Sequence, residues 1–364
     1  MSPRADDLMA SDDLVGGGRR RSGTIRGVTI LVDPQPRTLM MICDPPTLAR
    51  LQALGPLVVH EDGRMPDELV EQHLPDVTAI VGQTAMPAER LQRAPNLRAI
   101  VNVEGNFLPN VDYAAALDRG VHVLNASPAF ALPVAEAALG MAIDLARGIS
   151  AADRAMRAGT ETYGLEGNAD AFLLSHATVG IVGFGDLGRE LRRLIAPFNP
   201  DVKVYDPWLP AELVRRHGAE PAALDDVLAQ RVIFVFAAVT ADNEGFLDRA
   251  TLEQIRPGSV LLLMSRAGVV DFDALCDLVA AGRFRAATDV FPEEPLAPGH
   301  RARTLDGMLL SPHRAGGMRE AFLEIGRLAV ADLELILSGL PPQLCKRAER
   351  ETAGRLRSRP VERS

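Results

Sequence analysis

Between residues 28 and 124 short apolar runs alternate with segments of helical period. Uninterrupted apolar runs suit strands buried on both faces, and apolar residues recurring every three or four positions suit the helices that cover them. The pattern predicts strands at 28–32 or 38–43, then at 56–60, 77–81, 97–101 and 121–124, with helices near 46–53, 66–72, 87–93 and 111–119. Strands alternating with helices imply a parallel sheet, because each parallel pairing needs a crossover.

Pro133 opens a predicted helix on which Val134, Ala138, Met141 and Leu145 share one face, and Arg147-Gly148 closes it as helix C-termini commonly close. Ala137 and Ile143 make its second face apolar too. The helix is expected to cross between two structural units. A second series follows, with strands at 178–183, 202–205, 232–236, 259–264, 285–288 and 308–311 and helices between them, which describes a doubly wound sheet. Finally Phe322, Ile325, Ala329, Leu333 and Ile336 form one stripe, and Gly339-Leu340-Pro341-Pro342 stops the helix. This last helix is expected to return the chain to the first unit.

Composition narrows the class. At 364 residues, 47% hydrophobic and 24% charged, the chain exceeds what one core fills and has the balance of a globular protein. A net charge of −9 opposes a nucleic acid partner, although the last nineteen residues carry seven Lys or Arg against three Glu. No uninterrupted apolar run approaches the length of a membrane span, and the N-terminus lacks a signal peptide's order, so a cytoplasmic location and no membrane partner are expected. Residues 1–25, with Gly16-Gly17-Gly18 and three arginines, read as a disordered arm. Cys43, Cys276 and Cys345 are too scattered for a disulfide framework, and the seven histidines show no metal-binding spacing, so no metal is expected.

The strand TVGIVG runs into Gly183-Phe184-Gly185-Asp186-Leu187-Gly188 and then a helical segment. Asp206 follows 18 residues after Gly188, at the end of the next predicted strand. This is the full context of a dinucleotide-binding turn. Gly183 permits the tight turn, Gly185 admits a pyrophosphate to the amides at the helix start, where Asp186 and Leu187 lie, and Gly188 lets helix and strand pack closely. Asp206 would accept from a ribose 2′-hydroxyl and repel a 2′-phosphate, which favours NAD over NADP.

Ligands of open α/β sheets bind beyond the carboxyl ends of strands, so polar residues just after apolar strands are the first chemical candidates. The strand LLLM leads into Ser265-Arg266, AAT into Asp289 and DVFPEEP, and MLLS into Pro312-His313-Arg314-Ala315-Gly316-Gly317. An arginine can clamp a carboxylate by two parallel hydrogen bonds, and an imidazole paired with a carboxylate can give and take a proton. Together with VGIVGFGDLG, the ordered segments SRAGVVDFDAL, DVFPEEP and SPHRAGG resemble the D-2-hydroxyacid dehydrogenase family over about residues 75–340. The resemblance implies an NAD-dependent oxidoreductase acting on a D-2-hydroxy acid or its 2-oxo acid. It implies a discontinuous flavodoxin-like substrate domain (26–127 plus 318–364) and a Rossmann-like NAD-binding domain (128–317), both α/β with parallel sheets and with the active site in the cleft between them. Arg266 would bind substrate, His313 would be the acid/base and Glu294, rather than Glu293, would orient it. Val239, Thr240 and Ser265 would help hold the cofactor, Asp289 would hold the nicotinamide carboxamide, and a homodimer would form through the cofactor domain, with helix 133–147 contributing. A non-catalytic, NAD-sensing corepressor-like protein is the alternative from another class.

The sequence also departs from the family. Relatives carry a loop resembling R-A-G-x-G after the strand LRAIV, where this chain has Asn102-Val103-Glu104-Gly105-Asn106. Gly105 and Asn106 still offer amides to substrate, but Glu104 introduces a negative charge that either faces the substrate or is neutralised by Arg314. In the first case a monoanionic substrate is expected rather than a phosphorylated one.

Overall fold

The computed structural model describes residues 27–60, 62–240 and 242–353. The arm read at 1–25 and the last part of the basic tail lie outside them. Thirteen strands are present among the described residues. They are β1 (Thr29–Asp33), β2 (Leu57–Val59), β3 (Val77–Gly82), β4 (Ala99–Asn102), β5 (His122–Asn125), β6 (Thr178–Val182), β7 (Asp201–Tyr205), β8 (Glu220–Pro221), β9 (Val232–Val235), β10 (Val260–Leu263), β11 (Arg285–Thr288), β12 (Met308–Leu310) and β13 (Lys346–Arg347).

These form two sheets, ordered β13-β5-β4-β3-β1-β2 and β12-β11-β10-β9-β6-β7-β8. Every pairing is parallel except that of β13 with β5. Helices cover both faces, which is why all six residues of β3 are buried. Along β1 the side chains alternate between two cores: Ile30 and Val32 pack with Ile325 and Leu333, and Leu31 packs with Ile80 and Ile100. Strands β8 and β13 were missed because each has two residues, one with a proline and the other with only charge, and neither carries an apolar pattern.

The alternatives at the start of the chain resolve in favour of 28–32. Residues Leu39–Ile42 form one helical turn, with the Thr38 side chain accepting from the Met41 N–H at its start. Leu39 and Ile42 are buried while Met40 and Met41 are exposed, a spacing of three that a strand cannot give.

Helix Ser127–Arg147 begins six residues before Pro133, which lies inside it. Its start is set by Asn125, whose side chain accepts from Ser127 N at 2.9 Å, and by Pro128 in the first turn. Pro133 only deprives the Ala129 carbonyl of its donor, which the packing around it outweighs. Gly148 closes the helix at φ 66°. By length and composition this helix could cross a membrane, but it packs on helices Asp186–Leu194 and Arg319–Leu337 and on β10 and β11. Ala129 joins the core of the first sheet and Val134, Ala138 and Leu145 that of the second. Phe130, between them, packs against both. Helix Arg319–Leu337 returns to the first sheet, burying Ile325, Ala329, Leu333 and Ile336 there.

Candidate active site

The carboxyl ends of both sheets open on one cleft of about 1410 Å³. On the side of the second sheet, β6 leads into the glycine turn. Gly183 has φ 87°, and a Cβ there would lie 2.6 Å from Ala237 N. A Cβ on Gly188 would lie 2.6 Å from Gly183 O, so this glycine serves the helix–strand packing. A Cβ on Gly185 would meet nothing within 4 Å, so the turn leaves open space where the helix Asp186–Leu194 presents its N-terminus. Asp186 and Leu187 line the cleft beside it. Asp206, just past β7, accepts from Phe184 N at 2.8 Å and from Trp208 N at 3.0 Å, which fixes its carboxylate at the rim. The open turn, the helix start and the fixed acid fit a dinucleotide's pyrophosphate and ribose. Thr240 and Ser265 also line the cleft, and Ser265 Oγ donates to Ala237 O at 2.7 Å. Val239 packs its methyls against Gly268 and the core of the second sheet.

Three side chains converge beyond the strand ends. His313 Nδ1 lies 2.5 Å from Glu294 Oε2, and Phe291 N donates to Glu294 Oε1 at 2.9 Å. Glu293 is exposed. Burial pushes the Glu294 carboxyl up, but the hydrogen bonds from His313 and Phe291, with the charges of His313 and Arg266, bring it below its ordinary value. An ionised carboxylate only accepts, so Nδ1 of His313 carries the proton toward Glu294 and Nε2 remains for a reacting group. His313 adopts φ 49°, a left-handed conformation that side chains rarely take. Asp289 holds it there. The Asp289 carboxylate accepts from Ser311 Oγ at 2.5 Å, from Arg314 N at 3.0 Å and from Ala315 N at 3.0 Å.

Arg266 follows β10, is half-buried and donates to Ser265 O at 2.7 Å. Burial lowers its pKa, and the charges of Glu104 and then Glu294 oppose that. With its amide oxygen turned to the guanidinium, Asn106 accepts from Arg266 Nη2 at 2.5 Å and donates to Gly105 O at 3.3 Å. The first sheet thus reaches across the cleft to the second.

Glu104 does not pair with Arg314, whose side chain is exposed. Its partner is Arg37, on the turn after β1. Arg37 Nη1 donates to Glu104 Oε1 and, at 2.9 Å, to Val103 O, and Nη2 donates to Glu104 Oε2 at 3.2 Å. Sequence reasoning overlooked Arg37 because 67 residues separate it from Glu104. A signal did exist, since Arg37 stands just past a strand's carboxyl end, the position used to select Arg266 and His313.

Residues 139–315 match the sequence model of the D-isomer specific 2-hydroxyacid dehydrogenase NAD binding domain. The crystal structure of a phosphoglycerate oxidoreductase from Rhizobium etli is similar at 44% identity and a TM-score of 0.81, covering 89% of this chain and 99% of that one. The D-3-phosphoglycerate dehydrogenase of Archaeoglobus fulgidus is 31% identical over 287 residues, 77% of this chain and 53% of that protein. The glyoxylate reductase of Thermofilum pendens is 28% identical over 318 residues, 82% of this chain and 91% of that protein. The chain spans about half the length of the curated phosphoglycerate dehydrogenases it matches.

Proposed function

Since the chain belongs to the D-isomer specific 2-hydroxyacid dehydrogenase family, we propose that it interconverts a D-2-hydroxy acid and its 2-oxo acid with NAD(H). The observation that carries this reading is the His313–Glu294 pair beside Arg266, on the cleft that also holds the glycine turn and Asp206. The nicotinamide, when bound, supplies or accepts the hydride. Arg266 takes the substrate carboxylate and polarises the neighbouring keto oxygen. His313 gives its proton to that oxygen during reduction and recovers it during oxidation, while Glu294 fixes the ring's orientation. This intact set supports turnover over a purely NAD-sensing role.

The substrate is a monoanionic 2-oxo acid with a neutral or hydroxylated tail. Support comes from Arg37, whose charge is taken by Glu104, so this corner offers no net positive charge to a second anionic group. Glu104 is compensated by Arg37 and so does not itself repel a second anionic group. A phosphorylated substrate is the second reading, favoured by Lys346 of β13, which lines the same cleft. Initial rates with hydroxypyruvate and with its 3-phospho form, followed by NADH loss, separate the two. A higher kcat/KM for the phosphorylated acid refutes the monoanionic reading, and no turnover of any 2-oxo acid refutes the reaction.

We place the enzyme in the cytoplasm, which the three buried, unpaired cysteines support. We read it as a homodimer through the cofactor domain. The exposed apolar residues lie less on helix Ser127–Arg147 than just after it: Ile149 and Met156, then Tyr163, Leu165 and Leu173, with Leu165 88% exposed. Light scattering at micromolar concentration tests this, and Leu165→Asp is expected to weaken the dimer.

A further inference from the structure

Arg37 has no part in the chemistry above, yet it is only 7% exposed and lines the active cleft. A buried guanidinium is costly unless its donors and charge are met. Both Glu104 oxygens and the Val103 carbonyl take its two terminal nitrogens and its charge, while Nε has no hydrogen-bond partner among the described residues. The guanidinium carbon also lies 4.9 Å from the centroid of the Phe322 ring and 5.6 Å from that of Phe130, so the group is held by rings from two different helices. These contacts fix which way the Arg37 fork points.

Its partner faces two cations. Glu104 lines the cleft and stands two residues before Asn106, whose amide touches Arg266. Glu104 is also the foremost acidic charge acting on Arg266. Left alone, that carboxylate would satisfy the Arg266 guanidinium much as a substrate carboxylate does, because both are planar two-oxygen acceptors for the same fork. Two guanidiniums thus bear on one carboxylate, and of the two Arg37 alone holds it by hydrogen bonds, with the aromatic and carbonyl contacts fixing Arg37 in place.

We propose that Arg37 is a positioning residue that holds Glu104 and so keeps Arg266 free to receive the substrate carboxylate. This rests on the reading of Arg266 as the carboxylate receptor. It accounts for an acid within the substrate loop of an enzyme whose substrate is itself an anion, since the bound acid shapes the loop without blocking Arg266.

The test is a double-mutant cycle of Arg37→Met and Glu104→Gln, read by the affinity of oxamate, a 2-oxo acid mimic, for the NADH-bound protein. KM and kcat for glyoxylate and the affinity for NADH are measured alongside. Arg37→Met is expected to weaken oxamate at least about tenfold and raise the glyoxylate KM similarly, with a smaller change in kcat and none in NADH affinity. Adding Glu104→Gln removes the competitor and is expected to return oxamate affinity to within about twofold of Glu104→Gln alone. Equal weakening in Arg37→Met and the double variant, or wild-type oxamate affinity in Arg37→Met, overturns the proposal. If Arg37→Met does not fold, Arg37→Lys replaces it in the same cycle, and a loss there that Glu104→Gln leaves unrelieved overturns the proposal equally. A wild type that binds oxamate but reduces no 2-oxo acid refutes the proposed reaction while the cycle still decides Arg37. A wild type that binds no oxamate refutes both.

Discussion

Asp289 positions His313 without touching its ring: its carboxylate collects Ser311 Oγ–H, Arg314 N–H and Ala315 N–H, the donors on either side of a histidine held at φ 49°. A left-handed histidine persists only where its surroundings over-determine it, and at this site the determinant is one buried acid. The resemblance implies that Asp289 also holds the nicotinamide carboxamide, and Asp289 lines the cleft while its carboxylate serves the turn.

Asp289→Ala is therefore expected to cost about 2 kcal/mol of stability, because it strands part-buried donors that faced a charged acceptor. Urea unfolding measures this. Asp289→Ala with wild-type stability and wild-type kcat would show that the turn holds His313 unaided.

His313→Ala is expected to lower kcat by about 100-fold or more with NADH binding retained, which is the scale of a lost acid/base group. Arg266→Lys is expected to raise KM and lower kcat together, since an ammonium cannot form the two-pronged clamp. Steady-state rates with fluorescence titration of NADH check both.

The Glu294 carboxyl lies below its ordinary value in the folded protein, where His313 and Phe291 donate to it, and returns to that value on unfolding. The folded state thus binds fewer protons, so this group's contribution is present above the unfolded value and is lost as pH falls through the folded one. The stability difference between wild type and Glu294→Gln should hold from neutrality to roughly pH 4 and narrow only below it. A difference that disappears between pH 7 and 5 would assign the pair's stability to another group.

Asp206→Ala is expected to relax the preference for NADH over NADPH, because it removes both the ribose acceptor and the charge opposing a 2′-phosphate. Since Asp206 also holds Phe184 N and Trp208 N, some loss of NADH affinity should accompany the change. Tighter binding of NADPH than NADH by the unaltered protein would remove Asp206 from this role.

The sequence by itself determined the alternation of strand and helix, the glycine turn and the order of Arg266, Glu294 and His313, because each depends on residues within one strand–turn–helix unit. Apolar period and glycine placement are local properties, legible wherever the chain is long enough to show them. Only the tertiary structure decided the partners of Glu104 and Asp289, the start of helix Ser127–Arg147 and the small edge strands β8 and β13. Arg37 reaches Glu104 because β1 and β4 end on the same side of one sheet, with β3 between them, a neighbourhood no spacing encodes. The helix runs through Pro133 because the cores of both sheets bury its first turns and its middle, and that burial outweighs one lost hydrogen bond. Pairing of charges across a fold is set by which strands become neighbours, and that is a property of the whole packed chain rather than of any segment.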